Sequence, residues 1–242
     1  MPKIPGSYGV DAPYVPVAMT LGGVGFIIWG LTGGGLAPLV SGPILLAVAA
    51  LYLYATLRGK FVVWQRLIDG LGLTGSERVV DVGCGRGLVL ITAARSLTTG
   101  TAVGVDLWRS RDQSGNDPDT TMANARAAGV SEQIELLTAD MRDIPLPDNE
   151  VDVVLSSVAV QNIKDSEARA QAIAEMYRIL RPGGRLLIAD IQYSRQYVKV
   201  LTALGAQQVT RRDAGWRKTY GLPYFFSTYL VSAAKAGSGS VS

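Results

Sequence analysis

Val79 to Gly87 reads VVDVGCGRG, and its residue types could hold a polar ligand. An apolar run of strand character enters Gly83-Cys84-Gly85-Arg86-Gly87 and passes straight into LVLITAARSL, whose spacing predicts a helix. The glycines permit a tight turn and a close approach to the backbone, and amides at a helix start suit a polar or anionic group. A nicotinamide loop would read G-x-G-x-x-G. This one reads G-x-G-x-G, with Asp81 two residues ahead of the first glycine. A second acid, Asp106, closes VGVDLW roughly twenty residues on, where a ribose carboxylate belongs. A third, Asp140, follows in TADM, and Ser156, Ser157, Gln161 and Asn162 come later in SSVAVQNIKD.

Several chemistries are closed to this chain. It has no histidine and one cysteine, so histidine catalysis and an intrachain disulfide are excluded, and the ligands for a thiolate or imidazole zinc site are missing. No metal site is expected. Cys84 reads as a small turn residue, because no base is placed to lower its pKa. The net charge of +3 comes without a dense Lys/Arg stripe, which argues against nucleic acid as a partner.

The elements that must position these residues begin near Lys60. FVVWQRLIDGLGL has helical spacing, and after it apolar strands and helices alternate. RVVDV, TAVGVD, QIELLTAD, VDVVLSSV and RLLIADI read as strands, with QQVTRRDAG and FFSTYLVSAAKA as the last two. LVLITAARSL, DTTMANARAAG, ARAQAIAEMYRIL and RQYVKVLTALG read as helices; Asp119 or Thr120 is expected near the start of the second, and RPGG should close the third, over 166–180. Such alternation predicts an α/β fold with a mostly parallel sheet covered on both faces.

Ahead of these elements lies a different kind of segment. No Asp, Glu, Lys or Arg occurs from Ala12 to Leu57, a length sufficient for two membrane crossings of roughly 20 residues each. The expected spans are 15–31 and 36–57, joined by a turn at Thr32-Gly33-Gly34-Gly35. Arg58, Lys60 and Arg66 follow at once and would place that end, and the domain after it, on the cytoplasmic side. The soluble alternative is a pair of apolar helices docked on the domain or on a second copy. The organisation expected is therefore an arm over 1–14, a two-helix transmembrane hairpin over 15–57, a catalytic domain over 58–236 and a flexible tail over 237–242.

Over about Val62 to Lys235 the ordered motifs resemble the class I S-adenosylmethionine-dependent methyltransferases. The resemblance implies a seven-stranded Rossmann-like sheet whose last hairpin contributes an antiparallel strand, with S-adenosylmethionine as cofactor and S-adenosylhomocysteine as product. Asp81 and the loop of Gly83, Cys84, Gly85 and Gly87 match the motif that holds the methionine part. Asp106 matches the acid that binds both ribose hydroxyls, and Leu107 and Trp108 would lie against adenine. Asp140 would receive the adenine amino group with Met141 beside it, while Ser156 and Ser157 would border the sulfonium and the substrate. Gln161 and Asn162 fall where the family places substrate-facing polar groups. The stretch VAVQNIKD is similar to that of the ubiquinone and menaquinone C-methyltransferases, which share the Asn, but the neutral Gln161 just ahead of it is a departure.

Methyl transfer from a sulfonium is an in-line displacement, which needs alignment and exclusion of water and does not need a metal or a covalent nucleophile. An amide at Gln161 or Asn162 can orient a hydroxyl, amine or thiol but is a poor proton acceptor. Asp190 and Tyr193 are further candidates to face the substrate. SYGVDAPY places Tyr8, Asp11 and Tyr14 just before the hairpin, where the arm would either fold over the pocket as a lid or seat the hairpin at a membrane surface. Three functions are compatible with these features. The first is a membrane-anchored methyltransferase of a small lipophilic acceptor. The second is a methyltransferase of soluble molecules whose hairpin serves localisation or homo-oligomer assembly, and the third an inactive cofactor-binding module that recruits a membrane partner.

Overall fold

The computed structural model describes residues 4–10, 12–109, 115–215 and 227–237. The chain divides into two compact units, one of residues 1–9, 64–213 and 229–242, the other of residues 10–63 and 214–228. Asp11 and the tail residues 238–242 lie outside the described residues.

The smaller unit is built on α1 (Tyr14–Trp29) and α2 (Leu36–Tyr54), joined by a π-helical turn over Gly30–Gly34. Gly33 and Gly35, at φ 116° and 82°, take the backbone conformations that reverse the chain there. The other glycines act at the helix contact. A Cβ on Gly42 would stand 2.7 Å from the Gly23 carbonyl oxygen, and one on Gly30 would stand 2.6 Å from Leu39. Backbones meet because nothing separates them, as small residues allow between apolar helices. The outer faces are bare: Leu21, Leu31 and Leu36 are each about 70% exposed or more. Two helical segments, Tyr14–Gly34 and Leu36–Asp69, are long and apolar enough to cross a membrane by length and composition. After α2 a second π-helical turn, Ala55–Gly59, leads into α3 (Lys60–Asp69).

The larger unit is an α/β sheet. Its elements are β1 (Arg78–Val82), α4 (Leu88–Ala94), β2 (Thr101–Asp106), α5 (Pro118–Ala128), β3 (Ile134–Thr138), β4 (Val151–Ser157), α6 (Ser166–Ile179), β5 (Leu180–Asp190), α7 (Ser194–Ala203), β6 (Gln207–Asp213) and β7 (Tyr229–Ala234). The strand order is β3-β2-β1-β4-β5-β7-β6. The first five are parallel, and β7 runs antiparallel to both β5 and β6. The seven-stranded, mostly parallel sheet expected from the sequence is present. Valines 80, 82, 103, 105 and 154 form its centre and pack with Ile173, Met176 and Ile179 of α6. These α6 positions recur at helical spacing, while Asp165 caps the helix by accepting from the Ala168 N–H at 2.8 Å.

Two local expectations are corrected and one is refined. RPGG does not form a helix-closing turn: α6 ends at Ile179 and the chain becomes extended at Leu180, with RPGG inside β5. Pro182 disfavours helix just before it, and the Gly183 N–H instead bonds the Lys235 carbonyl. Asp119 and Thr120 lie in the first turn of α5, as expected, and the cap is Asp117, whose Oδ1 accepts from the Thr120 N–H at 2.7 Å, with Pro118 opening the helix. Finally, α4 stops at Ala94 rather than reaching Leu97, and the Gly75 carbonyl gathers the N–H groups of Thr98, Thr99 and Gly100 just beyond.

Candidate functional site

The order of strands reverses between β1 and β4, so the loops that leave their carboxyl ends open a crevice there. The first loop is Gly83 to Gly87. The Gly83 N–H bonds the Val105 carbonyl at 2.7 Å, which pins the loop to β2. Gly83, Gly85 and Gly87 all have positive φ, 75°, 51° and 81°. At Gly83 the need for glycine is twofold, because a Cβ would stand 2.3 Å from the Cβ of Ala159 in the loop after β4. Asp81 is buried beneath this turn, and its Oδ2 accepts from the Leu90 N–H at 2.9 Å in the first turn of α4.

Asp106 ends β2 and ties the crevice together. Its Oδ2 accepts from the Gly85 N–H at 2.9 Å, and its Oδ1 from the Trp108 N–H at 2.7 Å and the Asn116 amide at 3.2 Å. Trp108 has a left-handed backbone, φ 55°, and its indole N–H reaches Thr138 Oγ1 at 2.8 Å. Leu107 is exposed beside it. The neighbouring Asn116 is buried, and its side-chain oxygen has no hydrogen-bond partner among the described residues. A buried acceptor next to a carboxylate fits a ligand that donates hydrogen bonds, as ribose hydroxyls do.

Asp140 follows β3, and both its oxygens accept from the Arg142 guanidinium, at 2.9 and 2.6 Å. That pairing holds its carboxyl below the usual range. Met141 is half-buried and approaches Gly83. Cys84 is buried, and burial together with the carboxylates of Asp81 and Asp106 pushes its thiol well up. The thiol therefore stays protonated and is no nucleophile. Native Cys84 is expected to react with a thiol reagent at neutral pH at least about tenfold more slowly than the denatured chain. A thiol titration followed with and without denaturant measures this, and equal rates would refute it.

On the far wall the sequence candidates take unequal positions. Ser156 is fully buried and donates to the Val82 carbonyl at 2.8 Å, so its hydroxyl braces the ends of β1 and β4. Ser157 Oγ accepts from the Trp64 indole at 3.0 Å. The Gln161 side-chain oxygen accepts from the N–H groups of Ile191 and Gln192, at 3.0 and 3.2 Å, which leaves its amide hydrogens for other partners. Asn162 is exposed and donates weakly to the Val158 carbonyl at 3.5 Å. Asp190 has no exposed surface; its Oδ2 accepts from the Tyr197 hydroxyl at 2.9 Å and the Gln161 N–H at 3.2 Å. These bonds hold the loop after β4 against α7. Tyr193 is exposed, with the Arg169 guanidinium 3.6 Å over its ring.

The arm reaches the glycine loop through a residue the sequence reading missed. Asn124 of α5 is 4% exposed. Its side chain accepts from the Ser7 N–H at 2.8 Å and donates to the carbonyls of Ser7 at 3.1 Å and Arg86 at 2.9 Å. The Arg86 guanidinium also donates to Ser7 Oγ, and Thr121, one turn before Asn124, donates to the Gly85 carbonyl at 2.7 Å. Tyr8 is buried with its hydroxyl on the Pro5 carbonyl, and burial, partly offset by Arg95, pushes its pKa up to about 12. Tyr14, by contrast, is exposed on α1. The available signal was two polar residues three apart on an alanine-rich helix face.

A protein-family model described as a methyltransferase domain matches residues 80–188. The ubiquinone/menaquinone biosynthesis C-methyltransferase UbiE of Enterobacter sp. (strain 638) is 30% identical over 142 residues, 58% of this chain and 52% of that protein. The Escherichia coli O1:K1 / APEC protein of the same name matches equally. The chain thus spans about half the length of the curated relatives it matches. Among solved structures, geranyl diphosphate C-methyltransferase from Streptomyces coelicolor A3(2) superposes with a TM-score of 0.60 at 19% identity, covering 76% of this chain and 83% of that one. The [4+2]-cyclase SpnF superposes with a TM-score of 0.57 at 20% identity, covering 72% and 82%. At such identities these two likenesses show the fold alone. The family match falls on the crevice itself, from β1 through Asp106, Asp140 and Gln161 to β5, and the sheet that carries it has the Rossmann-like fold of the methyltransferase neighbours.

Proposed function

We propose that this protein is a membrane-anchored methyltransferase that moves a methyl group from S-adenosylmethionine to a small lipophilic acceptor. The observation that carries the reading is the coupling of the glycine loop to Asp106 through the Gly85 N–H, beside the unpartnered oxygen of Asn116. In this reading the loop of Gly83, Gly85 and Gly87 holds the methionine part of the cofactor, with Cys84 as a spacer. Asp106 and Asn116 take the ribose, Leu107 and Trp108 flank adenine, and Asp140 and Met141 close its far edge. The bound cofactor supplies an electrophilic methyl on sulfur, which an oxygen, nitrogen, sulfur or carbon nucleophile displaces in line. The chain then has to orient that nucleophile and keep water out. Asn162 and the free amide hydrogens of Gln161 orient the acceptor, while Ser157 is held in place by Trp64.

Two observations support the lipophilic acceptor. Isoprenoid compounds stand in the names of both the UbiE relatives and the geranyl diphosphate C-methyltransferase neighbour. The hairpin helices bury only 11% and 22% of their most apolar windows, whereas a helix in a soluble core hides its apolar side chains. The test is incubation of the detergent-purified protein with methyl-labelled cofactor and a lipid extract of its host. Label in the organic phase is expected; label only in water-soluble products would overturn the lipophilic acceptor, and no label in either phase the methyl transfer. Extraction of host membranes with alkaline carbonate should leave the protein in the pellet if the hairpin spans the bilayer.

The arm serves this site as a strap. Asn124→Ala removes three hydrogen bonds worth about 1 kcal/mol each and leaves the Arg86–Ser7 bond as a tie between Ile4–Gly9 and the loop. Amide exchange over those residues should accelerate, and cofactor affinity measured by calorimetry should fall about tenfold, the equivalent of roughly 1.4 kcal/mol. Unchanged exchange in the arm would refute the strap.

A further inference from the structure

The α/β unit has a second concavity, well away from the crevice. A cavity of about 270 Å³ lies between α3 and the strands β5, β7 and β6, and Arg66, Arg185 and Arg212 all line it. Arg185 stands five residues before Asp190 on β5, which at about 3.3 Å per residue puts it some 16 Å back from the strand end. The cavity therefore runs along the β5-β7-β6 side of the sheet, with Arg185 toward the end remote from Gly83 and Asp106 and Arg212 level with Ala189.

Its charge is one-sided. No carboxylate lines it; the remaining residues are apolar or neutral, with Gln208 and Ser232 the polar ones. Elsewhere in this unit four arginines pair with carboxylates, Arg78 with Glu150, Arg142 with Asp140, Arg178 with Glu175 and Asp148, and Arg181 with Asp152, while Arg169 and Arg211 bond neutral groups outside the cavity. None of the three cavity arginines has a carboxylate within ion-pair distance among the described residues. Asp69, one turn after Arg66, accepts instead from Gln65 at 2.8 Å. Asp213 follows Arg212 on β6, where successive side chains point to opposite faces. Arg185 is half-buried, and its guanidinium is anchored on the Leu71 carbonyl, so one fork is already oriented. Like charges gathered in one concavity repel, and an anion relieves that repulsion.

We infer that this cavity binds a phosphate-bearing anion through Arg66, Arg185 and Arg212. Guanidinium forks match phosphate oxygens bidentately, and three of them can surround a tetrahedral group. The cavity is smaller than the roughly 300–1,000 Å³ of sites for drug-sized molecules, which suits a phosphate or a small phosphorylated headgroup. The anion is free phosphate or the headgroup of an anionic phospholipid; Arg66 lies nine residues after the apolar segment ends at Leu57. This inference does not depend on methyl transfer, and neither do its readouts.

The test uses the full chain in detergent. Inorganic phosphate is titrated calorimetrically at low salt into the wild type, R66Q/R212Q and R185Q, with K199Q as an exposed control. Native mass spectrometry from mixed micelles of phosphatidylglycerol and phosphatidylcholine then measures which lipid each protein retains. A free-phosphate site predicts binding by wild type and K199Q, weakened at least tenfold in R66Q/R212Q. A headgroup site predicts preferential retention of phosphatidylglycerol that the same variant loses. R185Q should match R66Q/R212Q in either arm. If wild type prefers neither probe, or if R66Q/R212Q binds both as the wild type does, the inference is overturned.

Discussion

Asp106→Ala is expected to abolish measurable cofactor binding. In the proposed reading its carboxylate takes two ribose hydroxyls, and hydrogen bonds to a charged group contribute about 1.5–3 kcal/mol each. Losing both, about 3–6 kcal/mol, weakens affinity by roughly 10²- to 10⁴-fold. The substitution also removes the acceptor for the N–H groups of Gly85 and Trp108, so the loop loses its tie to β2 at that point. Calorimetric titration with S-adenosylhomocysteine reads the effect without requiring an acceptor. An affinity within a few-fold of the wild type would remove Asp106 from the site and, with it, the proposed placement of the ribose. Thermal unfolding of the same variant separates lost binding from lost folding.

Gly83→Ala has the second large effect, this time on the fold. At φ 75° an alanine carries a left-handed strain of about 1–2 kcal/mol. Its Cβ would also stand 2.3 Å from that of Ala159, and relieving such an overlap costs about 1–3 kcal/mol. Together these reach about 2–5 kcal/mol against a total stability of about 5–15 kcal/mol. The two causes can be separated, because Ala159→Gly removes the obstructing methyl and leaves the backbone strain. The double variant should therefore recover the overlap part only, and urea unfolding of the four proteins of the cycle measures it. Full additivity would show that the two loops do not meet as described.

The strands could be read in the sequence because each is an apolar run with its own boundaries, and the parallel sheet follows from their alternation with helices. Local chemistry was harder where two signals compete. RPGG contains the residues that end helices, yet it forms the irregular start of β5, with Gly183 at φ 79° and its N–H on the Lys235 carbonyl just past β7. At Asp117, Asp119 and Thr120 three capping types stand within four residues, and Pro118 selects the first. The glycine loop and Asp106 were legible because motif spacing names them. Asn124, Asn116 and Trp64 were not, since their partners lie up to 117 residues away or depend on which face of an element is turned inward. Gln161 was legible as a polar residue in the right loop, but its bonds to the backbone of Ile191 and Gln192 exist only once β4 and β5 are side by side.

The place of β7 in the sheet sets the order in which this protein can be completed. Among the described residues β6 pairs with β7 alone, and β7, which follows β6 in the chain, must enter between β5 and β6. A chain emerging from a ribosome therefore displays the bare edge of β5 until Ala234 has been synthesised, with β6 waiting unpaired. Exposed strand edges recruit other chains, and late long-range pairing prolongs that exposure. The yield of folded protein thus hinges on how quickly the residues from Tyr229 to Ala234 find their slot, long after the glycine loop and Asp106 have been made.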